Sequence, residues 1–342
     1  MEITTIGIDL AKNVFQIHGV NARGKVTLRK TVKRPALAKL IANLPTCVIG
    51  MEACGSAHYW ARKFIEFGHT VKLMAPQFVK PYVKTNKNDA NDAEAICEAV
   101  SRPSMRFVPV KNVEQQSVLA LHRARQGFVT ARTAQVNQIR GLLYELGIVI
   151  PKGVRQLKQQ LPLILEDAEN DIPGTSRALF ARLFEHFHAL DEHVHDLENQ
   201  IKAWHRDSEA SRRLERVPGI GPLTASALVA SIGDAKCFKN ARQLAAWLGL
   251  VPRQFSSGGK DRLLGISKRG DTYLRTLLIH GARAVLFHRM RRPTDSDGWL
   301  MKLLARRNSN VAAVALANKN ARVVWALLAQ HRNYCSGYRA AA

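Results

Sequence analysis

The first hundred residues alternate short apolar runs with amphipathic segments. Five runs rich in apolar and β-branched residues predict strands, at residues 3–10, 15–20, 25–32, 47–52 and 70–74. Between and after them, wider apolar spacing predicts helices at 35–44 and 56–67 and a third helix that begins near residue 89. The order β-β-β-α-β-α-β-α indicates a mixed-sheet α/β domain over residues 1–105.

The middle of the chain carries longer helical patterns. Residues 101–110 contain two prolines and predict a linker, and residues 113–146 predict a helix. A second helix is predicted over 176–204, where apolar residues recur in steps of three and four: Phe180, Leu183, Phe187, Leu190, Val194, Leu197, Ile201 and Trp204. This heptad seam predicts a coiled-coil connector over residues 106–208, whose helices pair within the chain or across subunits.

The last region, residues 209–342, is predicted to be an all-α domain. It opens with a glycine turn that contains Gly219 and Gly221 and is followed by a helix over 223–232. The turn is similar to a helix-hairpin-helix, in which backbone N–H groups face a phosphate. The alternative is an ordinary packing element between two helices.

Charge distinguishes this last region from the rest of the chain. The formal net charge is +24, and residues 201–342 hold 25 Lys/Arg against 8 Asp/Glu, which is +17 of that total. Such a surplus predicts a nucleic-acid partner, because neutralising phosphates releases counterions. The five cysteines have no CxxC spacing and predict reduced thiols. With no signal peptide or membrane span expected, we predict a cytoplasmic, nucleoid-associated bacterial protein.

Four carboxylates fall where the predicted α/β domain would bring them together. Asp9 and Glu52 each end a predicted strand, while Asp89 and Asp92 lie three apart at a helix start and therefore on one helical face. An acidic first turn is also common for helix-dipole reasons alone. Four converging carboxylates nevertheless predict a site for divalent cations. Glu94 and Glu98, on the same helix, are interpreted as ordinary surface acids.

A serine pair among cations is the second candidate for chemistry. Ser256 and Ser257 precede Gly258 and Gly259 in what the sequence predicts to be a flexible loop. The nearby cations are Arg253, Lys260, Arg262, Lys268, Arg269 and Arg275. Such a serine can bind phosphate or attack phosphorus, with the cations stabilising the transition state. From composition alone, a polar surface turn is the better interpretation.

Several motifs together resemble a known family. The segments GIDLAKN, VIGMEACG and KTNKNDANDAEAI look like the three motifs of a RuvC-like domain with the RNase H fold. More specifically, they resemble the DEDD-type insertion-sequence transposases, relatives of the Piv DNA invertase. The pattern GLVPR…SG…GISKRG…LR is similar to the C-terminal motif of the same family. An actin-like ATPase shares the first strand motif, but no glycine turn follows Asp9.

The resemblance implies a recombinase. Asp9, Glu52, Asp89 and Asp92 would hold Mg²⁺ (or Mn²⁺), and the serine before the glycine, by position Ser257, would be the covalent nucleophile. Ser256 is adjacent, and Ser267 is a weaker third candidate. The resemblance further implies double-stranded donor and target DNA, a guide RNA from the element's flank, and a homo-oligomer (dimer or tetramer). Two alternatives remain: a Holliday-junction-type nuclease that uses water, and a non-catalytic nucleic-acid-binding protein.

Overall fold

The fold is described from a computed structural model that covers residues 2–84, 88–292 and 298–335. The chain divides into two compact units, Met1–Glu114 and Gln115–Ala342. Within the KTNKNDANDAEAI motif, Thr85, Asn86 and Lys87 lie outside the described residues.

A six-stranded mixed sheet forms the centre of the first unit. Its strands are Thr5–Leu10 (β1), Val14–Val20 (β2), Val26–Lys33 (β3), Val48–Glu52 (β4), Thr70–Met74 (β5) and Phe107–Val108 (β6). The spatial order is β3-β2-β1-β4-β5-β6, with β1, β4 and β5 mutually parallel and the other three strands antiparallel to their neighbours. The five longer strands confirm the predicted strands, and the arrangement is compatible with an RNase H-like fold.

Helices cover the sheet of this unit. They are Arg34–Ala42 (α1), Ala57–Glu66 (α2), Pro76–Val79 (α3), the 3-10 turn Lys80–Tyr82, and Asp89–Val100 (α4). Apolar residues of β1 and β4, such as Ile6, Ile8 and Ile49, pack in one core with side chains of α1 and α2. Alternate strand residues point to the opposite face. On that face α4 packs against β1, β2 and β4.

One prediction in this unit is wrong. Residues 101–110 are not only a linker, because β6 lies within them and pairs with β5 through Leu73 and Val108. A two-residue edge strand has too few residues to show a periodic pattern.

The second unit is mostly helical. Its helices are Val113–Glu145 (α5, which begins at the end of the first unit), Val154–Glu166 (α6), Gly174–Asp207 (α7), Glu209–Glu215 (α8), Pro222–Ile232 (α9), Ala241–Trp247 (α10), Thr272–Arg291 (α11), Gly298–Leu304 (α12) and Ser309–Ala329 (α13). A 3-10 turn, Ala235–Cys237, precedes α10, and two short strands, Pro252–Gln254 (β7) and Leu263–Ile266 (β8), form a hairpin.

The predicted seam on α7 packs within the chain. Phe180 and Phe187 share a core with residues of α5 and α6. Ion pairs join Arg125 to Glu198 and Arg132 to Asp191. Between the two ion pairs the chain advances seven residues on α5, from Arg125 to Arg132, and goes back seven residues on α7, from Glu198 to Asp191. The two helices therefore run antiparallel. The sequence predicted that the helices pair either within the chain or across subunits. The packing of α7 against α5 is a pairing within the chain, and pairing across subunits stays a prediction.

A separate core lies among α9, α10, α11 and α13. By length and composition alone, α13 is apolar enough to cross a membrane. Its buried residues, which include Leu316, Val324 and Leu327, instead pack in this core together with Leu278 of α11. The apolar character of α13 is therefore explained by its central position in the second unit.

Candidate catalytic centre and nucleic-acid interface

Two parallel strands bring the first pair of carboxylates to one edge of the sheet. In β1 and β4, Gly7 pairs with Gly50 and Ile8 pairs with Met51. The next residues along these strands are Asp9 and Glu52. Because the strands are parallel and in register, the two carboxylates lie side by side near the ends of adjacent strands, Asp9 one residue before the end of β1 and Glu52 at the end of β4, as predicted.

Two glycines let α4 approach this edge. A Cβ on Gly7 would lie 2.3 Å from the carbonyl oxygen of Ala93 and 2.4 Å from the backbone nitrogen of Cys97. A Cβ on Gly50 would lie 2.8 Å from the Cβ of Val100. The helix backbone therefore rests directly on the strands. This role of Gly7 and Gly50 was not predicted from the sequence, although glycine inside a strand is a known signal for close backbone approach.

The start of α4 delivers the second pair of carboxylates. Asn88 caps the helix, and its side chain accepts a hydrogen bond from the backbone N–H of Ala90 at 3.0 Å. Asp89 and Asp92 lie in the first turn, and carboxylate oxygens of Asp9, Asp89 and Asp92 all lie within 4.8 Å of one another. The structure thus brings three of the four predicted carboxylates into ligand distance of a common point.

Glu52 belongs to the same electrostatic environment, although it is not part of that three-carboxylate cluster. Its pKa is raised, first because the side chain is partly buried and then because Asp9 and Asp92 repel its negative charge. A carboxyl whose pKa rises for this reason lies close to other anions. The four predicted residues therefore share one anionic region, with Glu52 at its border.

The donor set fits a hard divalent cation. Carboxylate oxygens are the ligands that Mg²⁺, Mn²⁺ and Ca²⁺ prefer. Over the described ranges, no ion pair joins Glu52, Asp89 or Asp92 to a cationic side chain. Within residues 2–84, 88–292 and 298–335, their negative charges are therefore not neutralised by a lysine, arginine or histidine side chain.

The neighbouring acids of α4 behave differently. Glu94 pairs with Lys84 at 3.0 Å and with Arg29 at 2.9 Å, and Glu98 pairs with Arg102. The hydrogen bond from Lys84 is the main cause of the lowered pKa of Glu94. These ion pairs confirm the interpretation of Glu94 and Glu98 as ordinary surface acids.

The serine segment of the second unit is a tight hairpin. Beyond β7 and β8, Ser257 and Lys260 form a β-bridge. Gly258 and Gly259 between them have φ values of +57° and +75°. Two successive residues with positive φ are typical of a type I′ turn, which requires glycine, asparagine or aspartate. The glycine pair of the predicted loop thus forms a specific two-residue turn, and the flexibility of this segment stays a prediction.

The two serines lie on different faces of this hairpin. The Ser256 hydroxyl donates to Asp261 at 3.0 Å and accepts from the Gln254 amide at 2.9 Å. Since side chains alternate along paired strands, Ser257 points to the other face. Its hydroxyl forms no hydrogen bond with any described residue, and the residue is exposed.

The base of the hairpin is fixed by Arg275 of α11. Its guanidinium donates to the carbonyl oxygens of Leu248 at 3.1 Å and Arg269 at 3.3 Å, and to the Thr272 hydroxyl at 3.1 Å. The residue is only 7% exposed. The predicted phosphate contact by Arg275 does not agree with this position, because the guanidinium is enclosed and bound to acceptors of its own chain.

Close backbone contact completes this base. A Cβ on Gly249 would lie 2.0 Å from the carbonyl oxygen of Arg269, and a Cβ on Gly270 would lie 1.9 Å from that of Trp247. Asn318 of α13 donates to the carbonyl oxygen of Leu250 at 3.1 Å. The hairpin therefore extends from a closely packed crossing of two chain segments. The other predicted cations of the segment are exposed: Arg253, Lys260, Arg262, Lys268 and Arg269.

The glycine turn before α9 is docked onto α11. Gly219 has a φ of +88°, and a Cβ on Gly281 would lie 1.8 Å from the carbonyl oxygen of Gly219. Gly221 is exposed and is the N-terminal cap residue of α9. This packing explains Gly219 as a structural requirement, while the N-terminal end of α9 at Gly221 remains accessible.

Comparison with known proteins extends this picture to the whole chain. Residues 6–148 match a DEDD transposase model of IS110 elements, and residues 211–296 match a model described as the transposase IS116/IS110/IS902 family. The fold and the acidic site thus define a transposase of the DEDD class. The chain belongs to the IS110/IS116/IS902 family of insertion-sequence transposases, and it is a DNA transposase.

Individual relatives agree over nearly the full length. A probable family 20 transposase of Pseudomonas aeruginosa is 52% identical, covering 98% of this chain and all of the relative. The transposase for insertion sequence element IS1111A of Coxiella burnetii is 47% identical, covering 98% of this chain and 92% of the relative. The pilin gene-inverting protein of Moraxella bovis is 24% identical, covering 84% of this chain and 85% of the relative.

Proposed function

We propose that this transposase cuts and rejoins DNA strands through a phosphoserine link made by Ser257. The observation that carries the proposal is the geometry of the hairpin tip. Ser257 is exposed beside a two-residue turn with Lys260 and Arg262 nearby, and its hydroxyl is not engaged by any described residue. Ser256, the competing candidate, is bound to Asp261 and Gln254 on the opposite face.

The proposed step exchanges one phosphate ester for another. The Ser257 Oγ attacks phosphorus, a new O–P bond forms, and the P–O bond to the departing strand breaks. The serine hydroxyl loses its proton and the departing oxygen gains one, so the exchange is neutral in protons. The exposed cations near Ser257 would stabilise the negative charge that develops on the phosphate oxygens. Because the ester bond is conserved, a second strand can reverse the step and rejoin the DNA.

The carboxylate site would hold the divalent cation that DNA cleavage requires. Asp9, Asp89 and Asp92 are the first candidate ligands, and Glu52 lies close enough for its pKa to respond to Asp9 and Asp92. Bound Mg²⁺ or Mn²⁺ would supply Lewis-acid polarisation of a phosphate oxygen. The chain's own contribution is to hold these carboxylates in place through β1, β4 and the capped start of α4.

A pair of serine variants tests the nucleophile. The full element is placed on a plasmid in its host, and DNA covalently linked to the denatured protein is measured together with excision. Ser257→Ala should abolish both the adduct and excision, while Ser256→Ala should retain a clear adduct. Strand cleavage at the wild-type rate in Ser257→Ala would instead support a nuclease that uses water. Unchanged activity in Asp9→Asn would support a non-catalytic nucleic-acid-binding protein.

We also propose that an RNA from the element's flank directs the choice of donor and target DNA. The strongly basic second unit and membership of this family support an RNA partner. Purifying the protein from its host and sequencing the nucleic acid that remains bound tests the proposal. One abundant short RNA from the flank is expected, and random fragments would contradict guidance. Sedimentation of the same preparation would test the predicted dimer or tetramer.

A further inference from the structure

Phe255 is exposed on the serine hairpin without a visible structural reason. Its side chain is 69% exposed, the highest value for any described phenylalanine. Phe287, also exposed, has the guanidinium of Arg291 4.0 Å from its ring centroid, and Phe107 has the ammonium of Lys72 at 4.8 Å. Phe255 makes no such ring contact with the described residues. The ring of Phe255 is therefore accessible to a partner outside the chain.

The alternation of the hairpin places Phe255 beside Ser257. The backbone N–H of Phe255 donates to the carbonyl oxygen of Arg262 at 2.9 Å, and the N–H of Lys260 donates to that of Ser257 at 3.1 Å. Phe255 is thus opposite Arg262, and Ser257 is opposite Lys260. Residues two apart on a strand share a face and are separated by about 7 Å.

The charge on the hairpin face that carries Phe255 indicates which class of partner the ring would bind. Lys260 and Arg262 are exposed beside the ring, and they form no ion pair with the described part of the chain. The one nearby acid, Asp261, belongs to the opposite face, where it binds Ser256 and Gln254. Two cations around an aromatic ring repel a second copy of the same hairpin and attract a polyanion. Aromatic rings set in a basic groove are the usual stacking platforms for unpaired bases.

We propose that Phe255 stacks on an unpaired DNA base next to the phosphate that Ser257 attacks. The 7 Å spacing places the ring about one nucleotide from that phosphate. Stacking would hold the strand in position and separate the base from its duplex neighbour. The position of the phosphate rests on the function proposed above, whereas the stacking contact itself does not require Ser257 to react.

Binding to a single strand tests the contact directly. The probe is a 20-nucleotide DNA single strand of mixed sequence, with one 2-aminopurine and one 5-iodouracil, added to the full-length protein. Phe255→Ala should weaken binding about 5- to 150-fold, because stacking of one base accounts for that range. It should also restore 2-aminopurine fluorescence, and Phe255→Trp should keep it quenched. In the wild type, photo-cross-linked peptide should contain Phe255.

Leu263 provides the matched control. It is 65% exposed on the same hairpin, and it lies opposite Gln254 on the other face. Leu263→Ala should leave single-strand affinity and cross-linking unchanged. Arg262→Ala should lower the slope of log affinity against log salt by about 0.7, while Phe255→Ala should leave that slope unchanged. Duplex binding should change less than twofold in Phe255→Ala.

Other results would overturn the proposal. Equal losses in Phe255→Ala and Leu263→Ala would indicate general damage to the hairpin. An unchanged affinity in Phe255→Ala would exclude stacking, and a change of sedimenting mass in that variant would indicate a protein contact. Ser257→Ala should retain single-strand binding and quenching whether or not it forms the adduct. Failure of the nucleophile proposal and failure of the stacking proposal are therefore measured separately.

Discussion

The carboxylate site and the serine hairpin are built on opposite principles. The carboxylates come from three distant segments, around residues 9, 52 and 89–92, and they meet only because a sheet and a helix pack together. The hairpin tip is one continuous segment with its own turn, and its charge is positive. The first site therefore depends on tertiary packing, while the second depends on local turn chemistry and on the contacts of Arg275 that hold the base of the hairpin.

The two sites also differ in their electrostatic cost. The carboxylates repel one another, and the pKa of Glu52 is raised first by burial and then by repulsion from Asp9 and Asp92. The hairpin cations are exposed, so solvent screens them and they add little strain. Variants and conditions that act on only one site should separate these effects.

The largest effect is expected from Gly7→Ala. The added methyl group would meet the backbone of Ala93 and Cys97, which cannot move without displacing α4. We expect a loss of about 3 kcal/mol in the unfolding free energy of the first unit and loss of DNA cleavage. Thermal unfolding and the excision assay measure these effects. In the control Gly127→Ala, nothing lies within 4 Å of the new Cβ in α5, so stability should not fall. Wild-type excision by Gly7→Ala would contradict the direct contact of α4.

Arg275→Leu should have the next largest effect, and on the second unit. The change leaves the carbonyl oxygens of Leu248 and Arg269 without their donor, which should cost about 2–3 kcal/mol. We expect a lower melting temperature and a weaker covalent adduct. The control Arg269→Gln should keep the melting temperature and reduce the salt dependence of DNA binding. The reverse pattern would show that Arg275 contacts phosphate.

Acidification should change the stability contributions of two titratable groups, His122 in the second unit and Glu52 in the first, in opposite directions. His122 is buried, with Nδ1 2.9 Å from the Tyr273 hydroxyl and Nε2 3.1 Å from that of Ser226, and burial lowers its pKa to about 4. Unfolding raises that pKa to about 6.5, so stability is lost as the pH falls from 6.5 towards 4, by about 1–3 kcal/mol. The folded pKa of Glu52 is raised instead. Its contribution is favourable below its unfolded pKa and is lost as the pH rises through the folded pKa.

Urea unfolding in chelator between pH 4 and pH 7 measures both trends. His122→Gln should reduce the loss of unfolding free energy that the second unit shows as the pH falls. Glu52→Gln should remove the gain of unfolding free energy that Glu52 gives the first unit at low pH. If Glu52→Gln shows the wild-type pH dependence, then Glu52 is not the source of that gain.

A smaller effect is expected from divalent cations. At ten times its dissociation constant, a bound cation should stabilise the first unit by about 1.4 kcal/mol. Asp92→Asn should remove this stabilisation and should raise stability in chelator, because one repelling charge is lost. Glu94→Gln, which breaks surface ion pairs, should keep the response to Mg²⁺ or Mn²⁺. The same melting shift in Asp92→Asn and wild type would place the cation elsewhere.

Much of the first unit could be predicted because its signals are local. Apolar runs located the five longer strands, and Asp9 and Glu52 were found from their positions at strand ends. The direct contact of α4 with β1 was not predicted, because Gly7 is required by the backbone of Ala93, which lies 86 residues away in the chain. Residue type alone does not reveal such a partner. The role of each predicted residue in catalysis stays a prediction.

The second unit was harder to predict for related reasons. The strands β7 and β8 are short and mostly exposed, so no alternation of apolar and polar residues predicts the hairpin. Its turn could have been inferred from Gly258 and Gly259, since paired glycines between strands favour a type I′ turn. The enclosure of Arg275 could not have been inferred from the sequence, because two of its acceptors are backbone carbonyls, which every residue provides.

The fit between Gly7 and α4 has a consequence for the history of the element. Insertion elements multiply, and their older copies accumulate random substitutions. A copy could retain every acidic residue and the serine, and still be silent because one methyl group at Gly7 displaces α4. Counting intact acidic motifs in a genome would then overestimate the number of mobile copies. The state of the strand glycines is a second criterion by which active copies can be separated from relics.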